Sequence, residues 1–221
     1  DIRDKNSTAL YSGVDIVFHC AARARIQPSV DNPSETFSIN SYGTQCVLEN
    51  CRKHSVKKVI YSSSSSCYGF KNSPPFKESM KTDCKTPYSL SKRQGEEICR
   101  LYTDLYGLST IILRYFNVYG PNEPTKGMYA PVVGLFKKQM VETGFVTVVG
   151  DGDQRRDFTH VNDVVEANVL AANSKIYHDT FNIGTGKNYS INEIAVLLGA
   201  SRRFIPPRVG ETRETLADIS K

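Results

Sequence analysis

Residues 86–120 read TPYSLSKRQGEEICRLYTDLYGLSTIILRYFNVYG, and their order decides the fold. Thr86-Pro87-Tyr88 opens a helix that the spacing extends to Tyr106, with Ile98, Leu101, Tyr102 and Leu105 on one face. Gly107 supplies a C-cap. Leu108–Tyr115 (LSTIILRY) then reads as a strand. Working outward, Lys57–Ser62 (KKVIYS) is a preceding strand that runs into a serine tract. Pro33 to about Lys53 is helical in character, with Phe37, Val47, Leu48 and Cys51 among polar residues. Val14–His19 (VDIVFH) is another strand, and it ends in the small residues Ala21 and Ala22. Strands that alternate with helices of this length predict parallel βαβ units, with a ligand site where the strand ends meet the loops.

The pattern changes after Gly120-Pro121. A Pro- and Gly-rich loop leads to an amphipathic helix near Ala130–Val141 and a strand near Val146–Val149. GDGDQRRDF follows, then a helix near Val161–Asn173, a strand near Thr180–Ile183 and a helix from Asn192. Pro206-Pro207 marks a late linker, and Ser62–Ser66 is the one low-complexity tract. A dinucleotide-binding unit needs a Gly-rich turn after its first strand, so that backbone can approach a pyrophosphate. The Gly-x-Gly pairs at Gly150–Gly152 and Gly184–Gly186 do not extend to that pattern. The expectation is that a first βαβ unit precedes Asp1 and that activity needs it.

The composition limits the alternatives. With 39% hydrophobic and 10% aromatic residues among 221, a packed core is expected. No apolar run approaches the roughly 20 residues of a membrane span, and DIRDKNSTAL has no signal-peptide core. The six cysteines form no CxxC pair and none has zinc-like spacing to a histidine, so no metal site is expected. They read as buried, reduced thiols of a cytoplasmic protein. The net charge of +5 suits an anionic small molecule. Without a dense basic run carrying interleaved aromatics, nucleic acid is not the expected partner. His19 and His160 read as structural, held by backbone hydrogen bonds, and Lys57-Lys58 as a solvated strand edge.

Chemistry concentrates at Ser64, Tyr88 and Lys92. Tyr88 and Lys92, at i and i+4, share one helix face. A cation beside a phenol is expected to lower its pKa from about 10 and make it a usable proton acceptor. A serine at the tip of the preceding strand can relay a substrate hydroxyl's proton. Taken alone, Tyr-x-x-x-Lys more often describes only a helix with a half-buried Tyr and an exposed Lys, and it is the order of the surrounding segments that raises it.

The motifs SSSSSCYG, YSLSK, RYFNVYGP, GDGDQRRDFTHV, NIGTG and PPRVGETRETLADISK occur in this order from residue 62 to the end. In that order they resemble the extended short-chain dehydrogenase/reductases, and more narrowly the NAD-dependent nucleotide-sugar 4-epimerases. The resemblance implies a Rossmann-like, doubly wound parallel sheet lacking its first βαβ unit, with a small interleaved α/β substrate-binding domain. Residues 1–120 and 156–184 would form the NAD-binding domain, and 121–155 and 185–221 the nucleotide-sugar-binding domain. Asp1 and Ile2 match a pair that contacts adenine. Cys20, Ala21 and Ala22 match the loop past the pyrophosphate and ribose, with Asn40 beside it. Lys92 would bond the nicotinamide ribose, and Tyr115 would pack near the nicotinamide. Asn117, Arg156, Arg208 and Glu211 match residues around the nucleoside diphosphate, and Thr147 and Val149 positions lining the uracil. Arginine's planar fork suits a diphosphate.

Related dehydratases carry Asp-Glu at the positions of Ser65 and Ser66, and a related decarboxylase carries Glu at that of Ser66. Neutral hydroxyls cannot supply carboxylate chemistry, so the resemblance narrows to epimerisation through a transient 4-keto sugar. Thr215 falls at a position resembling the gatekeeper of hexose 4-epimerases, where a small residue admits an N-acetyl group. The expected substrate is UDP-N-acetylglucosamine or UDP-glucose. Arg23 and Arg25 keep UDP-glucuronate open as an alternative, since they could reach a sugar carboxylate. Two further alternatives are a non-catalytic NAD-binding member and an NAD(P)H-consuming reductase. Relatives pair through helices, which makes a homodimer through Thr86–Tyr106 and Pro33–Lys53 the expected assembly.

Overall fold

The computed structural model describes residues 1–125, 130–207 and 212–221. The chain order is β1 (Ile16–His19), α1 (Ile26–Asp31), α2 (Pro33–Phe37), a π-turn at Ser38–Tyr42, α3 (Gly43–Lys53), β2 (Lys58–Ser64) and α4 (Pro87–Tyr106). Next come β3 (Ser109–Tyr115), β4 (Asn117–Tyr119), α5 (Val132–Thr143), β5 (Phe145–Val149), β6 (Arg155–Arg156), β7 (Phe158–His160) and α6 (Val161–Asn173). The order closes with β8 (His178–Ile183), β9 (Tyr189–Ser190), α7 (Ile191–Leu197) and β10 (Ser201–Ile205), which ends just before Pro206.

Strands β1-β2-β3-β8 form one parallel sheet in that order. Side chains alternate across it, so both faces must be covered. Val59, Tyr61 and Ile112 face α3 and α4, packing with Val47, Leu48, Cys51, Cys99 and Tyr102. Ile60, Ile111 and Leu113 face the other way, against Ala171 and Ala172 of α6. This is the expected α/β architecture with helices on both sheet faces. A second cluster joins Phe136 of α5 to Val146 and Val148 of β5 and to Ile191 and Ala195 of α7. Beside it, β5 and β10 pair in parallel.

The core face of α4 differs from the expected stripe. Ile98 and Tyr102 pack inward, but Leu101 and Leu105 are 50% and 64% exposed. The buried face is instead Ser91, Lys92, Gly95, Glu96, Cys99 and Thr103. Close approach explains it: a Cβ at Gly95 would sit 2.0 Å from the Tyr61 hydroxyl oxygen. Small residues let α4 lie directly on β2, which brings polar groups of both elements into contact.

Three smaller expectations are also corrected. Lys57 is a surface residue paired with Asp15 at 2.9 Å, but Lys58 is not solvated. Its Nζ donates to Ser174 O at 2.6 Å and Ala171 O at 3.4 Å, at the C-terminal end of α6 where carbonyls lack helical partners. His160 does accept a backbone bond, from Asn162 N, and caps α6. His19 instead pairs with a side chain, Thr44 Oγ1, at 2.9 Å. Burial, aided by the Lys92 charge, pushes the His19 imidazole down to about 4. The unfolded chain therefore takes up this proton near pH 6.5, and the folded chain only near 4. Stability is expected to fall by about 3 kcal/mol as pH drops through that window. Denaturant midpoints measured against pH should flatten there in His19→Gln; an unchanged slope would contradict the assignment. Finally, Cys51, Cys67 and Cys99 are buried, but Cys46 and Cys84 are half-buried and Cys20 is exposed, and all six are free thiols.

Candidate active site

The last residue of β2 is Ser64, and its Oγ accepts from Ser66 N at 3.2 Å. Across from it, the start of α4 is closed by a capping box. Thr86 Oγ1 accepts from Ser89 N and Ser89 Oγ from Thr86 N, both at 3.1 Å. Pro87 takes a first-turn position, where its missing N–H costs nothing. The next orphan donor, Tyr88 N, is met by Ser29 Oγ of α1 at 3.0 Å. The Tyr88 backbone is thereby fixed from both sides.

One turn further on, Lys92 is buried. Its Nζ donates to Ser62 O at 2.8 Å and lies 5.2 Å from the centre of the Tyr61 ring. Burial pushes the ammonium down to about 8. The Tyr88 phenol moves opposite to the sequence expectation, because burial raises it. A hydrogen bond with Ser64 and the Arg25 charge work against that rise. Arg25 is a cation that lowers the phenol, while the Lys92 ammonium is held on the Ser62 carbonyl and over the Tyr61 ring. Arg25 holds a left-handed backbone, φ 94°, at the mouth of α1. For a side chain other than glycine that conformation is uncommon, and it turns Arg25 into the cavity. Arg23, by contrast, is engaged by Glu35.

A cavity of about 560 Å³ opens above the strand ends. Ser64, Tyr88, Tyr115, Asn117, Thr147, Val149, Arg156 and Thr215 all line it. Arg208 and Glu211 lie outside the described residues. Tyr115 is held by its hydroxyl, 3.1 Å from Ser62 Oγ and 2.8 Å from Asn168 Nδ2 of α6. Gln139 of α5 clamps Thr147, with Oε1 accepting from its N at 2.9 Å and Nε2 donating to its Oγ1 at 2.8 Å. Arg156 Nη1 donates to Arg155 O at 2.9 Å. Thr215 N donates to Arg155 O, tying the C-terminal segment to β6.

A second cleft, of about 740 Å³, is lined by Asp1, Ile2, Ala21 and Ala22 together with Tyr11, Val17 and Ile39. Its apolar walls suit a flat base, and the alanines leave backbone accessible for a diphosphate. Cys20 adjoins it, within 3.4 Å of Ser62 Oγ. Asp1 also accepts from Arg3 N at 3.0 Å. Asn40 sits in the π-turn, a distortion frequent at functional sites. Its Oδ1 accepts from Arg23 N at 2.7 Å, and its Nδ2 donates to Arg23 O and to Ser91 Oγ of α4 at 3.1 and 3.0 Å. Asn40 therefore pins the loop between β1 and α1.

Glu96 and Asp157 were not singled out by the sequence. Glu96 accepts from Arg114 Nε and Nη2 at 2.8 and 2.7 Å and from Ser63 Oγ at 2.5 Å. This pair, 0% and 3% exposed, locks α4 to β2 and β3 beneath the site. Asp157 accepts from Thr185 N at 2.8 Å and from Gly186 N and Ala217 N at 3.1 Å. It is the reason that the RRDF and NIGTG segments meet. The Ser66 hydroxyl is buried, lines the cavity and has no partner. A charge inside an apolar segment, as in IILRYF, is the available signal for such pairs, because a buried charge demands a partner. It would have flagged Arg114 but not named Glu96.

Residues 1–184 match the family model described as the NAD dependent epimerase/dehydratase family. A protein of Methanocaldococcus jannaschii named as a putative UDP-glucose 4-epimerase is 39% identical, over all of this chain and 74% of its own length. The UDP-glucuronate 4-epimerase of Thermodesulfobacterium geofontis is 35% identical, over 94% of this chain and 65% of its own. Among solved structures, a UDP-N-acetylglucosamine 4-epimerase of Methanobrevibacter ruminantium, in complex with UDP-N-acetylmuramic acid, superposes with a TM-score of 0.94. That match has 32% identity and covers 100% of this chain and 73% of the other.

Proposed function

Because this chain belongs to the NAD dependent epimerase/dehydratase family, we propose that it is a UDP-sugar 4-epimerase with Ser64, Tyr88 and Lys92 as its catalytic set. One observation carries the reading: Ser64, Tyr88, Tyr115, Asn117, Thr147, Val149, Arg156 and Thr215, drawn from separated stretches, line one cavity. Tyr88 takes the proton of the sugar 4-hydroxyl, directly or through Ser64 Oγ. Bound NAD would supply the acceptor and donor for the hydrogen on C4. The residues fit that cofactor, since the second cleft has Asp1, Ile2, Ala21 and Ala22 on its walls. Lys92 bonds Ser62 O with one N–H and has further donors for ribose hydroxyls. Tyr115, braced by Ser62 and Asn168, forms a rigid wall beside the reacting carbon. Arg156 neutralises the diphosphate, and the Thr147–Val149 strand borders the base.

The reaction stops at epimerisation because Ser65 and Ser66 stand where elimination would need carboxylates. Residues 1–120 and 156–184 serve the cofactor, and 121–155 and 185–221 the nucleotide sugar. Thr215, small and on the cavity wall, favours UDP-N-acetylglucosamine and UDP-N-acetylgalactosamine as the interconverting pair. The full-length protein, given each UDP-sugar with NAD, should bring that pair to a constant epimer ratio. No turnover of the N-acetyl sugars would remove them as substrates. A second reading, UDP-glucuronate, is favoured by Arg25, which lines the same cavity; the same panel decides between the two.

No helix among the described residues is long and apolar enough to cross a membrane. Six unpaired thiols favour a reducing cytoplasm. The exposed Leu101, Leu105 and Tyr106 of α4, with Tyr42 of the π-turn also exposed, favour pairing of two copies through the Thr86–Tyr106 and Pro33–Lys53 segments. Sedimentation should give a dimer that Leu101→Glu dissociates, and a monomeric parent would contradict the pairing.

A further inference from the structure

Two cysteines lie just outside the catalytic set, one on each segment that carries it. Cys67 is three residues beyond Ser64, in the short helical turn that follows β2. Cys84 is four residues before Tyr88, in the approach to α4. Their sulfurs converge on one acceptor: Cys67 Sγ is 3.6 Å and Cys84 Sγ 3.4 Å from Ser89 O. Cys84 Sγ is also 3.7 Å from Cys67 O. The two backbones are in contact as well. Asp83 N donates to Cys67 O at 3.1 Å, and a Cβ at Gly69 would lie 1.8 Å from Asp83 O.

We propose that Cys67 and Cys84 form an oxidisable dithiol whose disulfide ties the Ser64 segment to the Tyr88 segment and switches the site off. The oxidant is a hydroperoxide, with hydrogen peroxide the simplest. The half-buried Cys84 is the entry point. Its thiolate attacks a peroxide oxygen, giving a sulfenic acid and releasing hydroxide, which leaves as water. The Cys67 sulfur then attacks the Cys84 sulfur and the S–O bond breaks. The thiol proton leaves with the oxygen as a second water. In total the two thiols lose two electrons and two protons, and the peroxide becomes two waters. A dithiol reductant reverses the step by exchange.

The electrostatics suit this division of roles. A hydrogen bond from Cys67 lowers the Cys84 thiol, and the same bond with burial raises Cys67. The attacking thiolate is therefore the accessible one. Burial pushes Cys51 up to about 12 and raises Cys99 further still, which leaves those thiols inert. A bridge needs the two Cβ atoms about 3.8 Å apart and takes both sulfurs away from Ser89 O. Ser89 is the capping-box residue adjacent to Tyr88, so closing the bridge disturbs the turn that aims the phenol.

The test titrates the full-length protein with hydrogen peroxide, then alkylates and digests it without reduction. A Cys67–Cys84 peptide two hydrogens lighter is expected. UDP-sugar turnover should fall at least about tenfold, against the roughly 10²-fold that a 1 Å misplacement can cost. Dithiothreitol should restore it. Cys84→Ser should keep its turnover under peroxide and leave Cys67 free to alkylate. Cys67 found free after peroxide, a link from either residue to Cys20, or a Cys67–Cys84 link with unchanged turnover would overturn the proposal. The activity arm rests on the epimerase assignment, whereas the peptide arm does not. A protein that forms the link yet turns over no UDP-sugar when reduced supports the dithiol and contradicts the assigned reaction.

Discussion

Tyr88→Phe is expected to lower UDP-sugar turnover by at least about 10²-fold, the usual cost of losing a general acid–base group. The substitution keeps the ring, and the backbone bond from Tyr88 N to Ser29 Oγ and the Thr86–Ser89 capping box remain. Thermal stability should therefore hardly change, which separates lost chemistry from lost structure. Steady-state epimerisation of parent and variant, at matched cofactor content, reads the effect. Equal rates would mean that the proton leaves by another group, and the Ser64–Tyr88 assignment would fall. The phenolate gains population as pH rises, and burial, by raising the phenol, moves that gain to higher pH. The Arg25 charge works the other way and draws the gain back to lower pH. Arg25→Met should shift the alkaline-going limb of the rate profile upward in pH.

The largest stability effect is expected at Glu96. Glu96→Ala would leave the Arg114 guanidinium buried and unpaired and remove the acceptor of Ser63 Oγ. Breaking a buried pair by removing one partner costs about 3–5 kcal/mol. Burial alone would raise the Glu96 carboxyl, but the bonds and charge of Arg114 hold it below its usual value. Its contribution is therefore present above the ordinary carboxylate pKa and is lost as pH falls through the lower folded value. Denaturant unfolding of Glu96→Ala measures the loss, and Glu96→Gln, which keeps the shape, should lose less. A change within about 0.5 kcal/mol, as at an ordinary surface position, would contradict the account.

The sheet was legible because its signal is local. VDIVFH, KKVIYS and LSTIILRY are β-branched runs between helical stretches, and each lies in the parallel sheet with limits shifted by no more than two residues. The candidate site was legible as a motif series, in that Ser64 and Tyr88 line one cavity and Lys92, one turn beyond Tyr88, bonds Ser62 O beneath it. The inward face of α4 was not legible. Its leucines suggest a hydrophobic stripe, but Gly95 against Tyr61 and Glu96 against Arg114 show that close packing and an ion pair decide which face is buried. Such pairings join residues far apart in sequence and leave no periodic trace. The direction of the Tyr88 shift was hidden for a similar reason. Spacing puts Lys92 on the same face as Tyr88, but only the fold reveals that Ser62 O holds the ammonium and that burial dominates the phenol. Asn168 and Gln139, which brace Tyr115 and Thr147, come from α6 and α5 and look like ordinary polar helix residues.

The central claim is that this site removes the hydrogen from C4 of a nucleotide sugar and returns it to the opposite face. The most direct measurement uses a UDP-sugar deuterated at C4 with the full-length protein in ordinary water. The account predicts that the epimer retains its deuterium at C4 and that turnover slows relative to the unlabelled sugar. Epimer carrying solvent hydrogen at C4 would contradict it.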